Sequence, residues 1–219
     1  MQAIEGILLE PVGCLAEFPA EPFHEIAVRF LGKSEHRKKP SKSASRAYWH
    51  VLNLMDAAGK RLDDAERRAI EALEVQAVAG ATVYEDVVPA LRELQSMGIG
   101  LYVASSLSSA AVARFLEQNR LSEFFSGISN RDNAGDIKGA PLVAALAGAG
   151  LQPERAMFLT DTAEGLKVAK SASVNAILMM NDPDEAKRLA MRDPAGGIVS
   201  LHELPDFIRL VAAGAARLS

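Results

Sequence analysis

Leu101-Tyr102-Val103-Ala104-Ser105-Ser106-Leu107-Ser108-Ser109 is an apolar run, a serine-rich turn and the opening of a helix, whose apolar positions Val112, Phe115 and Leu116 follow at helical spacing. The run is too short for a buried helix and polar residues close it, so it reads as a buried strand feeding a helix. The same pattern recurs on both sides. Ile7-Leu8-Leu9, Met157-Phe158-Leu159-Thr160 and Ala176-Ile177-Leu178-Met179 are runs of this kind, with weaker ones at Gly127-Ile128 and Ile198-Val199. Strands alternating with helix-period segments predict an α/β fold, a Rossmann-like parallel sheet as the middle of three layers.

Between the first run and Leu101 lie about ninety residues with no strand signal. Phe23, Ile26, Ala27, Phe30 and Leu31 keep helical spacing up to Gly32, where a left-handed cap costs nothing. Tyr48, Val51, Leu52 and Met55 repeat the stripe up to Gly59, and Ala69, Ile70, Leu73 and Ala77 repeat it again towards Gly80. Val87, Leu91 and Leu94 form a fourth stripe that ends at Gly98 and leads into the second strand. The expected division is therefore a sheet-bearing core over 1–17 and 81–219, with a helical module over 18–80 inserted after strand one.

The remaining features narrow the function classes. With 219 residues and 49% of them hydrophobic, the chain has material for a real core and is too apolar for intrinsic disorder. Its 24 basic residues against 28 acidic ones leave a net charge of −4, without the basic footprint of a nucleic-acid binder. Cys14, the single cysteine, excludes an internal disulfide and fits a reducing compartment. The opening Met1-Gln2-Ala3-Ile4-Glu5 lacks the basic region of a signal peptide, and no apolar stretch approaches the roughly 18 residues of a membrane span. A soluble, cytoplasmic protein is expected, with no membrane or nucleic-acid partner. His24, His36, His50 and His202 share no ligand-like spacing, which argues against zinc. Lys33, His36, Arg37, Lys38, Lys39 and Lys42 crowd one loop, either a solvated surface or a rim that draws in an anionic substrate.

Ligands of a doubly wound sheet bind beyond the carboxyl ends of its strands. Glu10-Pro11-Val12-Gly13-Cys14 stands there after strand one, Ser105-Ser106 after strand two, and Asp161-Thr162-Ala163-Glu164 after the Met157 strand. Lys138 sits in a Gly- and Asp-rich loop nearby in sequence to Gly139-Ala140-Pro141. Two carboxylates, a hydroxyl and an ammonium on one sheet edge make a phosphate or divalent-metal constellation. Taken singly each has a plainer reading: Ser105 or a neighbour as a helix cap, Asp161 as another cap, Lys138 as a surface lysine.

Together these segments resemble the haloacid dehalogenase superfamily over essentially the whole chain, including a helical cap after the first strand. Leu8-Leu9-Glu10-Pro11-Val12-Gly13-Cys14-Leu15 is similar to the family's first motif, usually Asp-x-Asp-Gly-Thr-Leu. Val103-Ala104-Ser105 resembles the second, whose hydroxyl binds the phosphoryl group, and Lys138-Gly139-Ala140-Pro141 the third. Phe158-Leu159-Thr160-Asp161, with Glu164 three residues on, resembles the acidic fourth motif in its enolase-phosphatase form. The resemblance implies a hydrolase of the phosphatase type acting on a small phosphorylated molecule. Glu10, Ser105, Lys138 and Asp161 would be catalytic, Ser105, Ser106 and Lys138 would bind phosphate, and Glu10, the Val12 carbonyl and Asp161 would hold Mg²⁺.

The first motif departs from the pattern. The family attacks the substrate with its first Asp and moves protons with its second; here Glu10 is one methylene longer and Val12 carries no proton. Misplacement on the order of 1 Å costs ~100-fold where positioning provides the rate, and a positioned acid/base contributes ~10²–10⁴-fold. Weak or altered phosphoryl transfer is therefore expected. The alternative is an inactive relative that binds a phospho-ligand or a protein partner. Phosphonatase-like chemistry, with Lys33 or Lys42 as the cap lysine, and dehalogenase-like chemistry are further alternatives that still ask for the Asp replaced by Glu10. Cys14, at the usual Thr position, reads as a small buried residue.

Overall fold

The computed structural model describes residues 3–30, 43–58 and 63–214. Six strands, β1 (Gly6–Leu9), β4 (Gly100–Ala104), β5 (Gly127–Ser129), β6 (Ala156–Thr160), β7 (Asn175–Met179) and β8 (Gly196–Ile198), form one sheet. Its order is β5-β4-β1-β6-β7-β8 and every pairing is parallel. All six apolar runs read from the sequence reach it, the last through Ile198 alone, with Val199 exposed beyond the strand.

Alternation along the strands builds a core on each face of the sheet. Ile7, Leu9, Leu101, Val103, Met157, Leu159, Ile177 and Met179 share one core with α5 (Val87–Ser96), α6 (Ser109–Gln118) and α11 (Glu203–Ala212). Leu8, Phe158, Ala176 and Leu178 face the other way, onto α8 (Gly139–Ala149), α9 (Ala163–Ser171) and α10 (Pro183–Ala190). The three-layer α/β architecture follows directly from these strands being buried on both sides.

The chain leaves β1 through a single irregular turn, α1 (Pro11–Cys14), broken at Val12 (φ −70°, ψ 116°) and Gly13 (φ 79°). Three helices follow: α2 (Glu21–Phe30), α3 (Ala44–Ala58) and α4 (Asp64–Ala79). α2 packs on both α3 and α4 through Phe23, Ile26 and Ala27, the stripe expected from the sequence. Asp63 and Glu66 close a reciprocal capping box at the start of α4, and Gly80 caps its end. The basic loop of Lys33 to Lys42, Gly32 and Gly59 fall outside the described residues.

One expectation is corrected here. The stretch between β1 and β4 is not free of strand: β2 (Ala16–Glu17) and β3 (Thr82–Val83) pair antiparallel where the chain departs into the helices and returns from them. Two residues per strand are too few to produce a period-two pattern, so the pair leaves no signal in the sequence.

The helices also join the sheet-bearing part through charge. α4 packs against α6, and Glu74 of α4, almost wholly buried, receives both ends of the Arg131 guanidinium at 2.6 and 3.0 Å. The Ser108 N–H donates to the same carboxylate at 3.0 Å. Arg131 opens α7 (Arg131–Ala134), just beyond β5.

Candidate functional site

From β1 the chain moves outward through β4 and β5, then returns to place β6 on the other flank of β1 before moving outward again. This reversal beside β1 is the topological switch point of the sheet, where the diverging connections leave a crevice at the strand ends. Glu10 follows β1, Ser105 follows β4 and Asp161 follows β6. Three of the four residues singled out in the sequence thus stand on adjacent strands because of strand order alone.

Glu10 is 4% exposed and Ser105 1%. The Ser105 hydroxyl donates to Glu10 Oε1 at 2.6 Å, and the main chain of Val12 and of Ser106 also hydrogen-bonds this carboxyl. Among the described residues no ion pair reaches it. Loss of hydration, reinforced by the nearby Asp161, pushes the Glu10 carboxyl up to about 8 against the pull of those donors. At neutral pH it is therefore mostly a neutral acid.

Asp161 sits at the inner end of a cleft. Burial pushes its carboxyl up to about 6, while the Ser45 hydroxyl and the Asn181 amide hold it back by hydrogen bonding. Asn181 Nδ2 donates to the Gly13 carbonyl at 2.7 Å and lies 3.4 Å from Asp161 Oδ2. Gly13 makes this approach possible: its φ of 79° suits glycine, and a Cβ there would collide with Asp161 and Ser45. The cap expected from the serine run is supplied by the neighbour Ser108, which leaves Ser105 itself for the strand end, and Asp161 is not a cap. α6 is capped by Ser108, which accepts from Ala111 N at 3.2 Å, and α9 by Thr162, which accepts from Gly165 N at 3.1 Å.

Lys138 is arranged differently. Its N–H donates to the Ser106 hydroxyl at 2.7 Å, which ties the loop to the turn after β4. Its ammonium points to α3 and pairs with Asp56 at 2.6 Å, rather than with Glu10 or Asp161. The backbone at Lys138 (φ 60°, ψ −107°) is in a region that side-chain-bearing residues seldom adopt. So the structure brings Glu10, Ser105, Ser106, the Val12 turn and Asp161 together, and turns the Lys138 charge away from them.

The cleft has a volume of about 580 Å³ and is lined by Gly13, Ser45, Arg46, His50, Asp161 and Asn181, among others. Cys14 lies behind it, buried, with its thiol against the Leu159 carbonyl at 3.5 Å. Burial pushes that thiol well above its ordinary range, which removes it as a nucleophile.

A haloacid dehalogenase-like hydrolase family model matches residues 28–179, more than half of the chain. The chain belongs to the haloacid dehalogenase-like hydrolase family. Among curated proteins it is 29% identical over 125 residues to an enolase-phosphatase E1 of Danio rerio, covering 56% of this chain and 48% of that protein. It is 27% identical over 124 residues to a phosphoglycolate phosphatase of Pseudomonas savastanoi, covering 56% and 46%. The chain spans about half the length of the curated relatives it matches. Among solved structures, a haloacid dehalogenase-like hydrolase of Streptococcus pneumoniae superposes with a TM-score of 0.70 at 18% identity, covering 94% and 99% of the two chains. An L-2-haloacid dehalogenase of Xanthobacter autotrophicus does so with 0.62 at 14% identity, covering 94% and 98%. These likenesses carry the fold.

As a member of this family the chain has site-facing residues that the sequence reading passed over. Asn181 follows β7 and answers to the same strand-end rule that found Asp161. Ser45 and Tyr48 come from α3, and Tyr48 was visible only as part of an apolar helical stripe. Sequence spacing places such residues on a helix face but says nothing of which strand end that face meets.

Proposed function

We propose that this chain is a hydrolase of the phosphatase type with slow, altered phosphoryl transfer on a small phosphorylated molecule. The observation that carries the reading is the 2.6 Å bond from Ser105 to Glu10, with Asp161 on the neighbouring strand end. Phosphatase relatives support the substrate class, and the cleft of about 580 Å³ that ends at Asp161, with Glu10 and Ser105 buried behind its lining, has the size of a small-metabolite site. Residues 18–80, carrying α2 to α4, act as the cap that sets the shape of the cleft.

The donor set fits magnesium. Buried Glu10 and half-buried Asp161, close enough that Asp161 raises the affinity of Glu10 for a proton, have no ion pair among the described residues, and hard oxygen donors of this kind suit Mg²⁺. No cluster of three or more His, Cys, Asp or Glu groups occurs among the described residues, so the set is Glu10, Asp161 and the Val12 carbonyl, with water completing it. Bound there, the ion would supply positive charge to a phosphoryl oxygen.

The chain's own part follows from its geometry. The Ser105 hydroxyl and the Ser106 main chain orient the phosphoryl group. An ionised Glu10 oxygen attacks phosphorus, the P–O bond to the alcohol breaks, and the alkoxide takes its proton from solvent because Val12 has none to give. Water then cleaves the acyl phosphate, releasing phosphate and restoring Glu10. Two features slow this sequence: the extra methylene of Glu10 displaces the attacking oxygen, and the missing acid/base withholds ~10²–10⁴-fold.

Para-nitrophenyl phosphate with Mg²⁺ tests the reading. Turnover well below the ~10 s⁻¹ typical of enzymes is expected, and Glu10→Gln should abolish it. Turnover unchanged in Glu10→Gln would remove Glu10 as nucleophile. A second reading, an inactive family member that binds a phospho-ligand or a protein partner, is favoured by one feature, the capture of the Lys138 ammonium by Asp56. Complete absence of turnover in the parent would select it.

A further inference from the structure

The turns after β1 and β4 point donors at a common centre: the Ser105 hydroxyl and the main-chain N–H groups of Val12 and Ser106. Converging donors of this kind, withdrawn from water, are how proteins hold an oxyanion. What they hold here is a side chain of the protein itself. All three close on the Glu10 carboxyl, which an extra methylene relative to Asp carries towards them.

A second observation concerns the helix that covers these residues. Tyr48, from α3, is 1% exposed, and among the described residues its hydroxyl makes no hydrogen bond in good geometry. It stands next to Ser105, Ser106 and Glu10. Ser105 spends its one proton on Glu10, and the Ser106 oxygen already accepts the Lys138 N–H. A hydroxyl withdrawn from water without an acceptor is rare in proteins and marks a place where a ligand or ion belongs. A carboxyl offers two oxygens in a plane. A tetrahedral oxyanion offers four, and one of them would turn to the side from which Tyr48 looks in.

We propose that Glu10 is a built-in occupant of an oxyanion site, and that Tyr48 is the remaining donor of that site, left for a phosphate-class anion that replaces the Glu10 carboxyl. The proposal rests on the hydrolase reading to the extent that both place the phosphoryl group at Ser105 and Ser106. A phosphorylated ligand must first displace Glu10, which weakens binding in the parent protein. Removing the carboxyl opens the site, whereas Glu10→Gln keeps it filled.

Calorimetric titration with inorganic phosphate at pH 7, in the presence of a chelator, tests this on the full chain. Glu10→Ala should bind phosphate at least about tenfold more tightly than the parent or Glu10→Gln, and adding Tyr48→Phe to Glu10→Ala should undo most of that gain. Far-UV circular dichroism establishes that each variant is folded; if Glu10→Ala is not, Glu10→Asp takes its place with the same expectation, its shorter side chain retreating from the donors. Equal affinity in the parent and the shortened variant, or no binding by a folded shortened variant, overturns the proposal. So does a Tyr48→Phe change with no effect on phosphate affinity. The readouts separate the two readings. Phosphate binding by Glu10→Ala together with a parent that never turns over substrate keeps the built-in occupant and removes the hydrolase. Turnover by a parent whose phosphate affinity equals that of Glu10→Ala does the reverse.

Discussion

Glu10 and Asp161 are two carboxyls that, among the described residues, are held by hydrogen bonds and by no ion pair, and this has a measurable consequence. Their folded values, about 8 and about 6, lie above the ordinary 4.5 and 3.8. The folded state therefore binds more protons than the unfolded chain over this window, and stability falls as pH rises through it. In chelator, thermal unfolding should give the highest Tm near pH 5, with a decline continuing to about pH 8; Glu10→Gln should flatten the part between about pH 6 and 8. A Tm that rises from pH 5 to 8 would mean both groups are ionised throughout. At this scale the sequence was informative where a residue's position is set by the backbone. Glu10, Ser105 and Asp161 are each the first or second residue beyond a strand, so finding the strands finds them. Lys138 was not legible in the same way: its loop is placed correctly, but a long side chain in a loop chooses its partner in three dimensions, and here it chose Asp56.

Among the elements, α3 spans the site. Ser45 near its start bonds Asp161, Tyr48 one turn on stands over the Ser105 turn, and Asp56 near its end takes Lys138. Ser45 and Tyr48 lie on the buried side of the helix, while Asp56 is exposed at its edge. α4 is fixed more firmly, by the buried bidentate pair between Glu74 and Arg131. Arg131→Ala leaves a carboxylate buried without its partner and should destabilise the fold by ~3–5 kcal/mol in urea unfolding. Replacing both residues by Leu should recover much of that loss; if the double variant is no better than the single one, the pair is not what holds α4 there. Helices with a clear stripe were legible in the sequence, whereas the β2–β3 pair and the destination of each helix were not. A two-residue strand has no period, and a stripe reports burial without naming the neighbour.

For the molecule as a whole, strand order decides where chemistry can occur. The sheet reverses direction beside β1, so the residues after β1, β4 and β6 converge without any special local device. Alternating short apolar runs and helical stripes were sufficient to read the three-layer fold, and no helix among the described residues is long and apolar enough to cross a membrane. On the proposed function, this scaffold keeps a phosphoryl-transfer site whose rate is limited by Glu10 and Val12. Turnover of para-nitrophenyl phosphate with Mg²⁺ by the parent and by Glu10→Asp/Val12→Asp tests it most directly. A slow parent and a double variant faster by at least ~100-fold are expected, as a shortened nucleophile leaves the Ser105 donors and an acid/base is restored. A parent already at an ordinary phosphatase rate, or a folded double variant no faster than the parent, would contradict it.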